Sequence, residues 1–401
     1  MAITVIVGAQ YGDEGKGKMS DYLAKDADFV ARFQGGDNAG HTVLNQYGVF
    51  KMHLVPCGVF TPGVINFIGT GTAVNPDVLI EELDTLNDVG IDTSELYLSE
   101  RAQLVLPYHV QLDEQMEARS SGIGTTKRGI GQAYAFKLLR KNPRAGDLRD
   151  IDEFERILGE ANDIGIPGID FAIPRSTLER WAERLVPILR EPLSLVHGQI
   201  AAGKNLLFEG QLGVMKDIDQ GIYPFVTSSH TTASYAAVSA GFPARLITDV
   251  IGVAKAFESA VGKGHFPTEM GEDEAAPLRG TGENPDDEYG ARTGRSRRLG
   301  WLDMEVLRFA HKINGFDALA LTKLDKLDAL AEIKVCTHYA SGTSEPVYRA
   351  FPGWLSDTTK CKTFDALPTE AQAYVRFIEA ELNVPVRWIG NGPVRDDVIA
   401  R

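Results

Sequence analysis

Four glycine-punctuated segments carry the residue types that could do chemistry. The first is Gly8-Ala-Gln-Tyr-Gly-Asp-Glu-Gly-Lys-Gly-Lys18, directly after an apolar run and before a helical pattern. A glycine-rich strand-to-helix turn lets backbone N–H groups converge on phosphate oxygens, and the helix N-terminus adds the positive end of its dipole. From Gly12 the spacing reads G-x-x-x-x-G-K, with Lys16 and Lys18 to supply charge. Met19, however, stands where a P-loop places the Ser or Thr that ligates magnesium. Asp13, a carboxylate inside the loop, offers a replacement ligand. The second segment, Gln34-Gly-Gly-Asp-Asn-Ala-Gly-His-Thr42, puts His41 among small residues that permit close backbone approach to a ligand. It follows an apolar run, at the strand end where open α/β sheets bind ligands. The third, Leu321-Thr-Lys-Leu-Asp325, suits guanine, because a carboxylate accepts from N1–H and N2–H while a lysine stem packs on the ring. In the fourth, Gly290-Ala-Arg-Thr-Gly-Arg-Ser-Arg-Arg298, four arginines fall in a glycine-containing loop suited to bidentate grip of carboxylate or phosphate.

Three weaker pieces are Gly124-Thr-Thr-Lys-Arg-Gly-Ile-Gly131, Phe208-Glu-Gly210 and Tyr223-Pro-Phe-Val-Thr-Ser-Ser229, which turn chemistry alone could explain.

The elements that would position these segments follow from hydrophobic spacing. Apolar runs at Ile3–Val7, Phe29–Phe33, Val64–Ile68, Leu206–Phe208, Ala318–Leu321, Ile333–Cys336 and Val386–Ile389 read as buried strands. Helical patterns at Trp301–Ile313 and Leu367–Leu382 alternate with them. The expected class is α/β, with a large, mostly parallel central sheet, flanking helices and a P-loop-like phosphate site. Residues 100–200 carry amphipathic patterns at Asp152–Ala161 and Thr177–Leu189 and few strand signals, so they read as a helical insertion within a single 1–401 domain. Residues of about 300–401 form its C-terminal part. The acidic stretch Gly271–Gly290 reads as a solvated loop.

Composition narrows the class further. Among 401 residues, 55 acids against 41 Lys and Arg give a net charge of −14, which repels nucleic acid polymers and anionic membranes. Three scattered cysteines, Cys57, Cys336 and Cys361, exclude a disulfide scaffold, and the histidines show no metal-motif spacing. No apolar stretch is long enough to span a bilayer. These features fit a cytoplasmic globular protein.

GAQYGDEGKGK, FQGGDNAGHTV, GTTKRGIG, YPFVTSS, FPTE, TGRSRRLGWLD and TKLD together resemble the adenylosuccinate synthetase family, in order and over nearly the whole chain. The resemblance implies a C–N ligase that joins L-aspartate to C6 of a purine 5′-monophosphate at the expense of GTP, with Mg²⁺. It implies Asp13 as the base at N1 and a metal ligand beside the Gly40 carbonyl, and His41 as the acid during phosphoryl movement. It places the donor nucleotide on Gly12, Glu14, Gly15, Lys16, Gly17, Lys18 and Thr42, its guanine on Lys323 and Asp325, and a closing turn at Gly390 and Gly392. The purine monophosphate falls to Asn38, Thr126, Thr227, Gln211, Leu212 and Arg295, with Arg140 reaching across a homodimer. Thr293, Arg295 and Arg297 fall to the aspartate.

Several positions depart from the family pattern. FEGAQG is FEGQLG here, so Gln211 is displaced by one and Leu212 takes its place; Lys127, Gln132, Arg292, Ser296 and the GNGP turn differ as well. Clustered around base and ribose, these changes lead to dGMP as the expected substrate, giving the succino precursor of 2-aminoadenine as in some bacteriophages. IMP is the alternative, which the retained Asp13 allows. ATP or dATP stays open as donor, although Asp325 favours GTP. A guanine-nucleotide switch using Asp249-Val-Ile-Gly252 as a DxxG is disfavoured by Met19 and by an arginine loop with no role in a switch.

Overall fold

The computed structural model describes residues 1–119, 122–284, 286–290 and 294–401. Its centre is a ten-stranded sheet of β1 (Ile3–Gly8), β2 (Phe29–Arg32), β3 (Ile65–Ile68), β4 (Leu96–Ser99), β5 (Leu189–Arg190), β6 (Leu206–Gly213), β7 (Asp249–Lys255), β8 (Ala318–Thr322), β9 (Val386–Gly390) and β10 (Val398–Ala400). The strand order is β10-β9-β8-β7-β1-β6-β2-β3-β4-β5. All neighbours are parallel except β9 and β10. The inner strands are buried along their length, which is why they read as continuous apolar runs and not as alternations.

Parallel strands send their carboxyl ends to one side, and the motif segments sit there. The loop after β1, the loop after β2, the end of β6, Lys323 after β8 and the turn after β9 all emerge on that side. Asp249, by contrast, opens β7 opposite Thr4, at the other end of the sheet from the phosphate loop. The DxxG of a switch is therefore out of reach of any phosphate held there.

One apolar cluster, with Phe29, Phe67, Phe208, Phe257 and Tyr374, packs on the sheet. A second, with Phe60, Tyr108, Phe154 and Trp181, joins the helical segment to the antiparallel pair His41–Asn45 and Gly48–Met52. Each large side chain so buried contributes roughly 1.5–3 kcal/mol.

Three expectations need correction. The 100–200 segment is not purely helical: after helices such as Ile151–Asn162 and Arg175–Leu185 it returns to the sheet as β5. Ile333–Cys336 is a strand, within Glu332–Tyr339, but it belongs to a separate three-stranded sheet with Leu302–Asp303 and Pro346–Pro352. The acidic stretch is not a solvated loop. Glu272–Arg279 is a helix with three acids in its first turn, where they favour the dipole, and Asp287 and Glu288 are buried. Net charge along the chain hid that folding, because buried cations from distant segments neutralise those acids.

Candidate active site

The phosphate loop leads into α1 (Lys16–Ala24) through Gly15, which takes φ 89°. No side chain caps α1 and its first turn holds no acid, so its leading N–H groups are open to an anion. The loop's own charges are engaged internally. The fully buried Glu14 accepts from the N–H of Gln10 (3.1 Å) and Gly12 (2.8 Å), and Lys16 Nζ stands 2.5 Å from its other oxygen. Lys18 Nζ donates to the carbonyls of Gly392 (2.6 Å) and Asp397 (2.7 Å), and burial lowers its pKa to about 8. Lys18 thus ties α1 to the turn after β9.

His41 begins the strand that packs on α1, and Gly17 makes that approach possible: a Cβ there would lie 2.7 Å from His41 Cβ. Its Nδ1 is 2.5 Å from Glu209 Oε1, on β6. The other Glu209 oxygen accepts from the Cys57 N–H at 2.9 Å, and Arg32 lies 3.9 Å from the carboxylate. Burial raises the Glu209 pKa, but His41, Arg32 and the Cys57 N–H outweigh it and hold the carboxyl below its ordinary value. Burial depresses His41 more than Glu209 raises it, so the imidazole lies below its ordinary pKa. Neutral His41 then donates Nδ1–H to Glu209 and keeps Nε2 for another partner. His41, Cys57 and Glu209 gather three ligand atoms. The direct 2.5 Å contact leaves no space for a cation between nitrogen and oxygen, since ligands about 2 Å from one metal stand farther apart than that.

Asp13 sits at φ 59°, and its Oδ2 accepts from Arg297 Nε at 2.8 Å. Burial raises its pKa, yet Arg297, Lys255 and Lys16 together hold it below the usual carboxylate value. Arg297 reaches Glu288 as well, Nη1 to Oε2 at 2.8 Å.

Two cavities meet at this point. The larger, about 750 Å³, is lined by Gly12, Asn38, Thr126 and Thr227 together with much of Gly124–Gly131 and Tyr223–Ser228. The smaller, about 100 Å³, is lined by Gly15 to Lys18, His41, Thr42, Arg297, Lys323 and Gly392. Asp13, Gly40 and Leu212 line both. Asn38 Nδ2 is 3.4 Å from Thr227 Oγ1, while Asn38 Oδ1 is buried with no hydrogen-bond partner among the described residues. In the wall of the smaller cavity Lys323 takes φ 61°, and just after it Asp325 Oδ1 is buried with no hydrogen-bond partner among the described residues. Burial raises the Asp325 carboxyl against the pull of Lys323. Gly390 closes β9 with Thr322 Cα and Lys18 Nζ within 3.5 Å of where its Cβ would be.

Several sequence-derived residues lie elsewhere. Gln211 does not face either cavity: fully buried, it donates to the carbonyls of Gly36 (2.7 Å) and Ala39 (3.2 Å) and accepts from the Gly36 N–H (3.0 Å). Its amide oxygen occupies the space a side chain at Gly35 would need, 1.6 Å from an ideal Cβ. The physical cause is a break in pairing: Gly210, Gln211 and Leu212 of β6 stand opposite Val7 alone, between the pairs Ile6–Glu209 and Gly8–Gly213. Leu212, at φ 60°, therefore projects into the junction of the cavities. Glu14 serves its own loop. Arg140 is exposed, at φ 61° after α2 (Ile130–Leu139). Arg295 is exposed, and Thr293 lies outside the described residues.

Sequence reasoning missed Glu209 as the partner of His41, and missed Lys255 and Glu288. Glu209 ends an apolar run, as charged residues at functional strand ends do; Glu288 had no signal within its acid-rich surroundings.

A parallel α/β sheet with a phosphate loop, and a purine-sized cavity that shares a carboxylate with a smaller one lined by an imidazole, defines a nucleotide-dependent enzyme. The family model for adenylosuccinate synthetase matches residues 5–399. The chain is 52% identical to adenylosuccinate synthetase 1 of Methanosarcina acetivorans, over 100% of both, and 44% identical to the Moorella thermoacetica adenylosuccinate synthetase, over 100% and 99%. Its fold is similar to that of a fully ligated adenylosuccinate synthetase from Plasmodium falciparum, with TM-score 0.94, 35% identity and both chains covered completely. The chain belongs to the adenylosuccinate synthetase family and is a C–N bond-forming ligase. A cyanophage S-2L succinoaminodeoxyadenylate synthetase, bound to dGMP and dATP as an energy donor, shares the fold at TM-score 0.64 but only 20% identity, over 100% and 95%. The identities thus favour the IMP alternative over the dGMP expectation, and they give the bacteriophage and 2-aminoadenine assignments no support. No helix among the described residues is long and apolar enough to cross a membrane.

Proposed function

We propose that the protein joins L-aspartate to C6 of IMP, with GTP as phosphoryl donor. The observation that carries this reading is the shared wall: Asp13 stands where the two cavities meet and His41 lines the smaller one. The monophosphate fits the larger cavity, where the unpartnered Asn38 Oδ1, Thr126 and Thr227 offer polar contacts. GTP phosphates fit the α1 N-terminus and Thr42, which line the smaller cavity. The unpartnered Asp325 Oδ1 suits guanine N–H donors and favours GTP over ATP or dATP. Leu212 presents an apolar wall at the reacting centre and offers nothing to a 2-amino group, which suits IMP.

Asp13 takes the N1 proton, so O6 gains the electron density to attack the γ-phosphate. His41, oriented by Glu209, stabilises charge on the phosphoryl group as its bond to the GDP oxygen breaks. The triphosphate's negative charge raises the His41 pKa on arrival and favours the protonated imidazole. The aspartate amine then attacks C6 and phosphate leaves from O6, so one GTP yields GDP, phosphate and the succino-nucleotide. Arg297, Arg295 and Thr293 hold the aspartate carboxylates. Hard oxygen donors from the Asp13 carboxylate and Gly40 carbonyl fit Mg²⁺, which when bound neutralises charge on the donor's phosphates. The exposed Arg140, beside Leu138 and Leu139 at 80% and 53% exposure, supports a homodimer in which that arginine reaches the partner's nucleotide. The chain reads as one domain, its residues of about 300–401 contributing the donor-base contacts.

The test is a matched assay with L-aspartate, Mg²⁺ and GTP or ATP, comparing IMP, GMP and dGMP by mass spectrometry of the product. IMP with GTP is the expected pair. A clear preference for dGMP would overturn the substrate assignment and make the Gln211–Leu212 displacement its specificity device.

A further inference from the structure

Glu288 is shared among three cations near the site, and the mechanism above does not use it. It is completely buried, in a stretch whose composition suggested solvent. Its Oε2 accepts from Lys255 Nζ at 2.6 Å and from Arg297 Nη1 at 2.8 Å. Its Oε1 accepts no hydrogen bond among the described residues and faces Lys323 Nζ at 3.5 Å. The backbone reinforces the arrangement: the Arg297 N–H donates to the Glu288 carbonyl at 2.9 Å, and Lys323 Nζ donates to the Asp286 carbonyl at 2.5 Å.

These contacts join two places that serve different substrates. Arg297 belongs to the loop assigned to aspartate, while Lys323 follows β8 and belongs to the donor's guanine end. One buried carboxylate holds a cation from each, and Arg297 passes the link on to Asp13. Without it, Lys255, Arg297 and Lys323 would repel one another in a region of low dielectric. Fixing Lys323 for the donor therefore also fixes the carboxylate on which the Arg297 fork rests. The ligand that binds second meets a side chain already ordered and loses less entropy.

We infer that Glu288 is a positioning residue that couples the donor and aspartate sites, so that bound GTP tightens aspartate and bound aspartate tightens GTP. The inference rests on the proposed assignment of aspartate to Arg297 and guanine to Lys323. Such coupling is reciprocal in binding free energy and typically amounts to about 5–150-fold.

The test compares wild type with Glu288→Gln and Glu288→Asp, measuring the aspartate KM at several GTP concentrations and the GTP KM at several aspartate concentrations. In wild type each KM should fall as the other substrate rises. In Glu288→Gln both KM values should rise, by about 10–100-fold for aspartate, the scale of a lost charged hydrogen bond. Their mutual dependence should vanish while kcat changes by a few-fold. Glu288→Asp keeps the charge and should recover part of the dependence. A merely structural role would instead lower Tm and the active fraction with KM values and coupling intact, and that result overturns the inference. If Glu288→Gln does not fold, the folded aspartate variant decides: unchanged coupling there overturns it too. A wild type that makes no succino-nucleotide from aspartate would sink the functional reading itself, which separates the two failures.

Discussion

The phosphate loop and the arginine loop look alike as sequence, each a glycine-rich run of cations, yet the structure uses them in opposite ways. In Gly8–Lys18 the cationic side chains hold the loop together: Lys16 sits on Glu14 and Lys18 on two carbonyls after β9. What remains for a ligand is backbone N–H and the helix dipole. In the described part of Gly290–Arg298, the Arg297 guanidinium is aimed into the site and steadied by Asp13 and Glu288. Its neighbour Arg298 is engaged by Glu269 and the Gly264 carbonyl. A count of positive residues therefore says little about which of them meet a substrate; the position of the buried acids decides that.

The sharpest break of the comparison is at the reacting centre, which neither loop supplies alone. Asp13→Asn and His41→Asn should each lower kcat by about 10²–10⁴-fold, the range for a lost general acid or base. Single-turnover assays on folded variants check this, and substantial residual ligation would remove the residue concerned from catalysis. Next, Lys16→Met and Arg297→Leu should fail differently. Lys16→Met leaves the buried Glu14 without its cation, a loss of about 3–5 kcal/mol visible in urea unfolding. Arg297→Leu should raise the aspartate KM about 10–100-fold with a smaller loss of stability, since Glu288 keeps Lys255 and Lys323. Equal unfolding losses with unchanged aspartate dependence would erase the distinction between the loops.

The smallest effect is a pH slope carried by Asp21 on α1, which is buried beside Arg395. Burial raises its pKa from 3.8 to about 6, with Arg395 opposing. Below pH 3.8 folded and unfolded chains both hold the proton. Between 3.8 and 6 only the folded chain keeps it, so stability falls as pH rises, and above 6 the loss is constant. Two units correspond to a total of roughly 3 kcal/mol at most. Asp21→Asn should remove this component, so the difference between variant and wild-type unfolding free energies should change between pH 4 and 7. A pH-independent difference would show that Asp21 is already ionised in the folded chain.

The fold was largely legible because parallel strands must be apolar on both faces and leave an unmistakable run. β1, β2, β8 and β9 fall within a residue or so of the sequence reading. β6 was underestimated at Leu206–Phe208, because its last five residues include Glu209, two glycines and a displaced pairing that no hydrophobic pattern records. The site was legible where chemistry and loop composition coincide, at Gly8–Lys18 and around His41. It was illegible where function depends on the direction of a side chain. Gln211 and Leu212 are adjacent, yet one holds a loop and the other lines both cavities; a bulge decides which. Glu288 was hidden for another reason, since burial of an acid depends on cations far away in the chain.

The bond from Lys18 to Gly392 and Asp397 spans more than 370 residues of chain. During synthesis the phosphate loop is made long before the turn that Lys18 holds. A nascent polypeptide that has reached only the helix Thr369–Leu382 already contains the glycine loop but lacks Gly392, which lines the smaller cavity. Lys18 therefore gains both carbonyl partners only once the chain has been made as far as Asp397, and the start of α1 stays untied until then.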